Sequence, residues 1–180
     1  LGHAGIETFK GSPYPGIARE CSQNSLDAAA RLPDGSSEPV HLVFRLLHIP
    51  ASDVPGLDAL KDTLSTCLSQ WKSQKKEREF FERAIKVAGQ SRIPVLSVED
   101  YGTTGLVGPA VKGKPFHALV KSSGVSQKAD ADASGSFGIG KNAAFAISSL
   151  RTVFYATIYD DGLGRAYLAQ GKSILVSHDQ

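Results

Sequence analysis

Apolar residues recur at helical spacing in two parts of the chain and form dense strand-like runs in several others. The spacing predicts a helix over residues 16–32, ended by the turn residues 33–35, and a long helical tract over residues 53–90 that bends near 71–74. Runs rich in valine, leucine and phenylalanine predict strands over residues 40–49, 93–98, 151–160, 165–169 and 173–177. This order of elements predicts an α/β fold in which helices lie on one side of a sheet.

Three glycine-rich segments separate these elements. Residues 1–15 are predicted to form an irregular arm, and residues 101–134 a long loop in which glycines and prolines are followed by a polar stretch. Loops of more than about 12–15 residues are usually functional lids or disordered segments. Residues 135–142 then form a glycine-rich turn that leads into a helix of small residues.

Length and composition indicate one globular domain. Of the 180 residues, 41% are hydrophobic and 21% are charged, and the net charge is +2. No stretch approaches the roughly 18 consecutive apolar residues of a membrane span, and no signal segment opens the chain, so we expect a soluble cytoplasmic protein without membrane contact. Because the sequence begins at Leu1 and contains no methionine, we expect residues 1–180 to be a single domain from the N-terminal part of a larger protein.

Charge and cysteine content argue against two other classes of protein. The basic residues between Lys72 and Arg78 are interleaved with glutamates, whereas a nucleic-acid module concentrates its basic residues on one face. Nucleic acid would therefore be bound only through other domains. Cys21 and Cys67 lie in helical segments and are expected to be reduced thiols, because neither has the spacing of a metal site. Trp71, like the two phenylalanines of the following helix, is expected in the core.

The first predicted helix carries three polar side chains on one face. Glu20, Asn24 and Asp27 follow one another at spacings of four and three residues. Glu20 is placed to activate a water molecule as a general base, and Asn24 offers an oxygen to a hard cation such as Mg²⁺. An ordinary polar helix face is the alternative interpretation of this pattern.

A second candidate lies where the strand over residues 93–98 ends. Asp100 follows this buried strand and is itself followed by Gly102 and Gly105. The carboxylate can accept a hydrogen bond from an amine while the glycine backbone approaches a flat ring. A simple strand-to-loop turn explains the same residue types, because aspartate and glycine both favour turns.

The third candidate is the glycine-rich turn over residues 135–142. Glycines before a helix let backbone N–H groups and the helix dipole face an anion, usually a phosphate. Gly135, Gly140 and Lys141 also match the P-loop pattern G-x-x-x-x-G-K, which makes a P-loop NTPase an alternative. Two features depart from a P-loop: residue 142 is asparagine where Ser or Thr would bind Mg²⁺, and no buried strand precedes the glycines.

Taken in chain order, the three segments resemble the conserved boxes of the GHKL ATPase superfamily, which includes gyrase B subunits, large heat-shock chaperones, MutL-type repair proteins and MORC-type ATPases. Residues 20–28 resemble Glu-x-x-x-Asn-x-x-Asp-Ala, and residues 135–140 resemble Gly-x-x-Gly-x-Gly. Residues 100–106 resemble Asp-x-Gly-x-Gly with one additional residue between the glycines. The likeness is greatest to the MutL, MORC and chaperone branch. It implies a Bergerat-type two-layer sandwich, with helices covering one face of a mixed sheet.

The resemblance also implies roles for individual residues. Glu20 would activate the attacking water, and Asn24 would hold Mg²⁺ against the triphosphate of ATP, supported by Asp27. Asp100 would accept a hydrogen bond from the adenine amino group, and residues 107–134 would form the ATP lid. The rest of the expected nucleotide-binding set is Gly102, Thr104, Gly105, Gly135, Ser136, Phe137, Gly138, Ile139, Gly140 and Lys141. Gly102 and Gly105 would make room for the base, and the glycines from 135 onward would close on the phosphates. Lys141 lies outside the family pattern, and its charge would help to neutralise them.

The implied function is ATP binding and slow, Mg²⁺-dependent hydrolysis. ATP would order the lid and drive a conformational change or homodimerisation of a larger protein with a DNA-linked or defence role. The late threonine of the family has no clear counterpart, because Thr157 comes too early in the chain. A nucleotide-sensing module without catalytic turnover is a further alternative.

Overall fold

A computed structural model describes residues 4–121 and 140–176, and it confirms the predicted α/β class. The α-helices of this part are α1 (Ala4–Glu7), α2 (Pro13–Asp27), α3 (Leu57–Trp71), α4 (Lys75–Ala88), α5 (Pro115–Val120) and α6 (Ala143–Ile147), and the strands are β1 (His41–Pro50), β2 (Arg92–Tyr101), β3 (Thr152–Asp160) and β4 (Arg165–Ser173). Short 3₁₀ turns cover Ala51–Asp53 and Gly140–Asn142. No helix in the described ranges combines the length and the hydrophobicity needed to cross a membrane.

The strands pair as two small antiparallel sheets. β1 pairs with β2, with Pro50 opposite Arg92, and β3 pairs with β4, with Asp160 opposite Arg165. The two helices between β1 and β2 return the chain to the end where β1 finished, and the β3–β4 connection is a tight turn, so both pairs run antiparallel. The single mixed sheet of the sequence prediction is not formed among residues 4–121 and 140–176.

The predicted bend in the long helical tract is confirmed. α3 ends at Trp71 and α4 begins at Lys75, and the two helices form an antiparallel hairpin. Its core is built from fully buried side chains, which include Leu64 and Cys67 of α3 and Phe81 of α4, together with Ile93 of β2. Trp71 and Phe80 pack against this core, as predicted.

Helix α2 starts and ends earlier than the predicted range of 16–32. Proline fits the first turn of a helix because the N–H it lacks has no partner there, so the helix begins at Pro13 and includes Pro15. Beyond Asp27 the chain leaves the helix, because Ala28–Ala30 form hydrogen bonds with the segment that follows β2. The end of α2 is therefore decided by a tertiary contact.

The other predicted segments differ from the structure in detail. The arm over residues 1–15 contains the short helix α1, whose Ile6 is buried. The loop over residues 101–134 contains α5, with Val120 buried, and its remainder from residue 122 lies outside the described residues. The predicted strand over 165–169 extends to Ser173 as β4, and residues 174–176 add no further strand.

Candidate functional site

The end of helix α2 and the end of strand β2 are joined through the backbone. Ala30 N–H donates a hydrogen bond to the carbonyl oxygen of Gly102, and Thr104 N–H donates to that of Ala28, both at 2.9 Å. The Thr104 hydroxyl lies 3.4 Å from the same Ala28 oxygen. These contacts bring the first and second sequence boxes side by side.

The buried hydroxyl of Ser25 orients the Asp100 carboxylate. Ser25 Oγ donates to Asp100 Oδ2 at 3.0 Å, across 75 residues of chain. Ser25 is only 4% exposed, whereas Asp100 lies at the exposed end of β2. One carboxylate oxygen of the exposed Asp100 is therefore held by the protein. The sequence analysis missed Ser25, although its spacing from Ile17 and Cys21 puts it on the inward face of α2.

Both glycines of the second box are required by close backbone contacts. Gly102 has φ +73°, and a Cβ there would collide with the Pro39 carbonyl oxygen. Gly105 has φ +68°, and its Cβ would lie 2.5 Å from the Ile158 carbonyl oxygen. L-residues rarely adopt such φ values, so glycine is needed at both positions whether or not a ring binds there.

Thr157 of β3 lies against the second box. Leu106 N–H donates a hydrogen bond to Thr157 Oγ1 at 2.9 Å, and the same oxygen would be 2.9 Å from a Cβ at Gly105. By its place in the sequence, Thr157 comes too early to match the late threonine of the family. In the structure it is the threonine whose hydroxyl reaches the box, because the β3–β4 sheet packs next to residues 105–106.

Glu20 and Gly140 are in direct contact, which joins the first box to the third. A Cβ at Gly140 would overlap the Glu20 carboxylate, so this acidic group fills the space that any side chain at position 140 would need. Gly140 is buried, and it opens the 3₁₀ turn that leads into α6. Gly135, Ser136, Phe137, Gly138 and Ile139 lie outside the described residues.

Asn24 and Asp27 lie on the same helix as Glu20, and both are exposed. The Asp27 side chain takes part in none of the hydrogen bonds described above. The α2 side chain that forms a hydrogen bond with Asp100 is that of Ser25. The described part of the chain contains no group of three or more His, Cys, Asp or Glu side chains placed to hold a metal ion. Mg²⁺ needs only one or two protein oxygens when phosphates and water complete its shell, and the exposed Asn24 amide oxygen fits that requirement.

Two neutral side chains, Cys21 and Tyr155, lie near the acidic residues. Burial, reinforced by the negative charges of Asp100 and Glu20, raises the pKa of the Cys21 thiol to about 11. Burial, with Cys21 nearby, raises the pKa of Tyr155 to about 12. The Cys21 thiol and the Tyr155 hydroxyl therefore keep their protons at neutral pH and add no charge near Glu20 and Asp100. A protonated thiol is also a poor nucleophile.

Lys141 adds positive charge beside Gly140. It lies in the 3₁₀ turn and is half-buried. Burial and the charge of Lys172 lower the pKa of its ammonium group.

Comparison with known proteins adds no assignment to this geometry. No protein-family model matches the chain, and neither a curated protein nor a solved structure matches it.

Proposed function

We propose that this chain is an ATP-binding domain of the GHKL type, with a Bergerat-type fold, that hydrolyses ATP with Mg²⁺. The observation that carries the proposal is the meeting of three boxes that are distant in sequence. Ser25 of the first box binds Asp100 of the second, and Glu20 of the first contacts Gly140 of the third. An ordinary polar helix face or an isolated turn gives no reason for these groups to converge.

The adenine end of the proposed site lies at Asp100. Its free carboxylate oxygen accepts a hydrogen bond from the exocyclic amine of the base, while Ser25 fixes the other oxygen. The neutral Cys21 and Tyr155 nearby suit an uncharged ring. The Thr157 hydroxyl accepts a hydrogen bond from the Leu106 N–H at 2.9 Å, which puts it against the glycine segment that this proposal sets beside the base.

The phosphate end lies between α2 and the Gly140 turn. Asn24 would hold Mg²⁺, which would supply positive charge to the phosphates. Glu20 would take a proton from the attacking water as a general base. Lys141 supplies a positive charge beside Gly140. By this proposal lid closure over ATP drives dimerisation of a larger protein.

Calorimetry with Mg-ATP tests the adenine end. We expect Asp100→Asn to weaken binding by about 5- to 150-fold, because the neutral amide loses the negative charge that strengthens both hydrogen bonds of the carboxylate, a loss of about 1–3 kcal/mol. Asp62→Asn, an equal change on the exposed side of α3, is the control and should bind like the wild type. Equal affinity for Asp100→Asn would remove the adenine assignment. A loss of binding in Lys141→Ala alone would then favour the P-loop alternative.

Phosphate release under single-turnover conditions tests the catalytic part. We expect Glu20→Ala to bind Mg-ATP and to lose about 10²–10⁴-fold in turnover, the usual contribution of a general base. Glu79→Ala, on the exposed side of α4, is the matched control. If the wild type binds ATP but Glu20→Ala changes nothing in the rate, the nucleotide-sensing alternative replaces hydrolysis.

A further inference from the structure

The two faces of the β3–β4 hairpin differ in burial. Successive side chains of a strand point to opposite faces of its sheet. On one face, Thr157 and Tyr155 are half-buried and Tyr159 is buried, and the Thr157 hydroxyl reaches the Leu106 N–H. The opposite face, the outer face, is exposed. Its central residues are Phe154, Ala156, Ile158, Tyr167, Ala169 and Gly171.

The outer face is apolar although it is exposed. Phe154 is 49% exposed, Ile158 56% and Tyr167 69%. An antiparallel sheet usually presents polar side chains on the face that meets water, and a contiguous exposed apolar patch marks an interaction site. A patch of three large side chains and the small residues between them is on the order of a few hundred Å², whereas each partner in a standard protein–protein interface buries about 800 Å². The outer face alone therefore supports only a weak association.

The outer face is high at one end and low at the other. Ile158 and Tyr167 lie directly opposite each other in the ladder and form the high end. At the other end Phe154 lies opposite Gly171, and a Cβ at Gly171 would be 2.9 Å from a carbon of the Phe154 ring. The ring therefore lies across the glycine, which keeps this end low.

A second copy of the chain fits this shape through a two-fold axis. In a two-fold contact the same patch of both subunits meets itself. Ala156 and Ala169 lie opposite each other midway between the high and the low end. An axis across the strands at this alanine pair sets the high end of each subunit on the low end of the other, and the small alanines let the two sheets approach.

The polar residues at the two ends of the outer face suit the same arrangement. Asp160 and Arg165 lie opposite each other beyond the high end. Beyond the low end, the hydroxyls of Thr152 and Ser173 are 2.8 Å apart. The two-fold axis sets each acid–base pair near the hydroxyl pair of the other subunit, so the rim is polar and like charges are kept apart.

We infer that the outer face of β3–β4 is the surface through which a second copy of this chain docks in the nucleotide-dependent dimer. The inference rests on the proposed function and names the dimer surface. Thr157 and Tyr155 lie on the other face of the same strand, so nucleotide binding and dimer contact act on one element. Because the outer face alone is small, the nucleotide-bound state must add the remaining contacts, and the protein without nucleotide stays monomeric at low concentration.

The decisive experiment is sedimentation velocity of Tyr167→Lys with a slowly hydrolysed ATP analogue and Mg²⁺. We expect the dimer dissociation constant to rise about 30-fold or more, as for loss of a central aromatic residue from an interface. Leu46→Lys introduces the same charge at a 72% exposed position of β1, and this control should dimerise like the wild type. Calorimetry at concentrations where all three proteins are monomeric should give equal affinities for the analogue. A Tyr167→Lys variant that binds the analogue and dimerises like the wild type would overturn the inference.

Further outcomes separate the inference from the proposed function. If the wild type binds no nucleotide, the proposed function fails, and sedimentation equilibrium at high protein concentration then tests the outer face alone. Self-association that Tyr167→Lys loses would support the inference, and a wild type that is monomeric at all concentrations would exclude it. A wild type that binds the analogue and stays monomeric would overturn the inference and leave ATP binding intact. If Tyr167→Lys also lowers the melting temperature of that monomer, the face is covered within its own chain.

A crosslinking variant replaces Tyr167→Lys if that variant does not fold. Packed sheets lie about 10 Å apart, so a bis-maleimide linker of about that length joins two Ala169→Cys subunits across the proposed axis. We expect crosslinked dimers with the ATP analogue and few without it. Leu46→Cys, exposed on β1, is the control and should not crosslink under the same conditions. Equal crosslinking of both variants would overturn the inference.

Discussion

At the scale of single residues, the buried hydroxyl of Ser25 decides how the Asp100 carboxylate faces the proposed ligand. Ser25→Ala removes one neutral-to-charged contact at 3.0 Å but keeps the helix. We expect Mg-ATP affinity to fall about 10-fold or more, since a hydrogen bond to a charged group is worth about 1.5–3 kcal/mol. Calorimetry measures the change, and Ser22→Ala, exposed on the same helix, should have no effect. A Ser25→Ala variant with wild-type affinity would show that Asp100 needs no such support.

A second residue-scale prediction concerns acid stability. Hydrogen bonds from Arg45, Tyr101 and Ser97 lower the pKa of the Glu99 carboxyl from 4.5 to about 2. A carboxyl with a depressed pKa stabilises the folded state above the unfolded pKa, and this contribution is lost as the pH falls from about 4.5 to about 2. We therefore expect Glu99→Gln to be less stable than the wild type at neutral pH and to lose that difference near pH 2. Urea unfolding across this range measures it, with Glu79→Gln as the control. A constant difference at all pH values would contradict the prediction.

At the scale of elements, the turn at Gly102 holds the end of β2 against the end of α2. Alanine at Gly102 adds left-handed strain of about 1–2 kcal/mol and an overlap with the Pro39 carbonyl that costs about 1–3 kcal/mol more. Gly35 has a similar φ of +84°, but its Cβ would meet nothing within 4 Å. Gly35→Ala therefore measures the strain alone. In chemical denaturation Gly102→Ala should be the more destabilised of the two, and equal losses would show that the Pro39 contact is relaxed at little cost.

Some boundaries of helices and strands follow from the local sequence pattern, and others depend on tertiary contacts. The bend between α3 and α4 is predictable, because the polar residues 72–74 interrupt two apolar helical repeats. The end of α2 is not, because Ala28–Ala30 have helical composition and leave the helix only to bind the backbone of residues 102–104. The strand β4 likewise runs through Gly171, since its ladder with β3 outweighs the low strand preference of glycine.

At the scale of the whole molecule, the proposed function predicts a nucleotide-dependent change of assembly. A ligand shifts an equilibrium only when it binds one state more tightly, so ATP must favour the dimer over the monomer. We expect sedimentation velocity to show a monomer without nucleotide and a dimer with a slowly hydrolysed ATP analogue and Mg²⁺. Asp100→Asn is the control and should stay monomeric. A wild-type protein that binds the analogue and stays monomeric would show that ATP binding does not drive dimerisation.

The sequence by itself determined the helical hairpin and four of the predicted strands, and it predicted Glu20, Asp100 and Gly140 as candidate site residues. These depend on spacing over a few residues, which helix and strand geometry fix locally. Only the tertiary structure decided that Ser25 supports Asp100, that Thr157 reaches residue 106 across 51 residues, and that the strands form two antiparallel pairs. Such contacts depend on how whole elements pack, and no local pattern specifies which distant side chain completes a hydrogen bond.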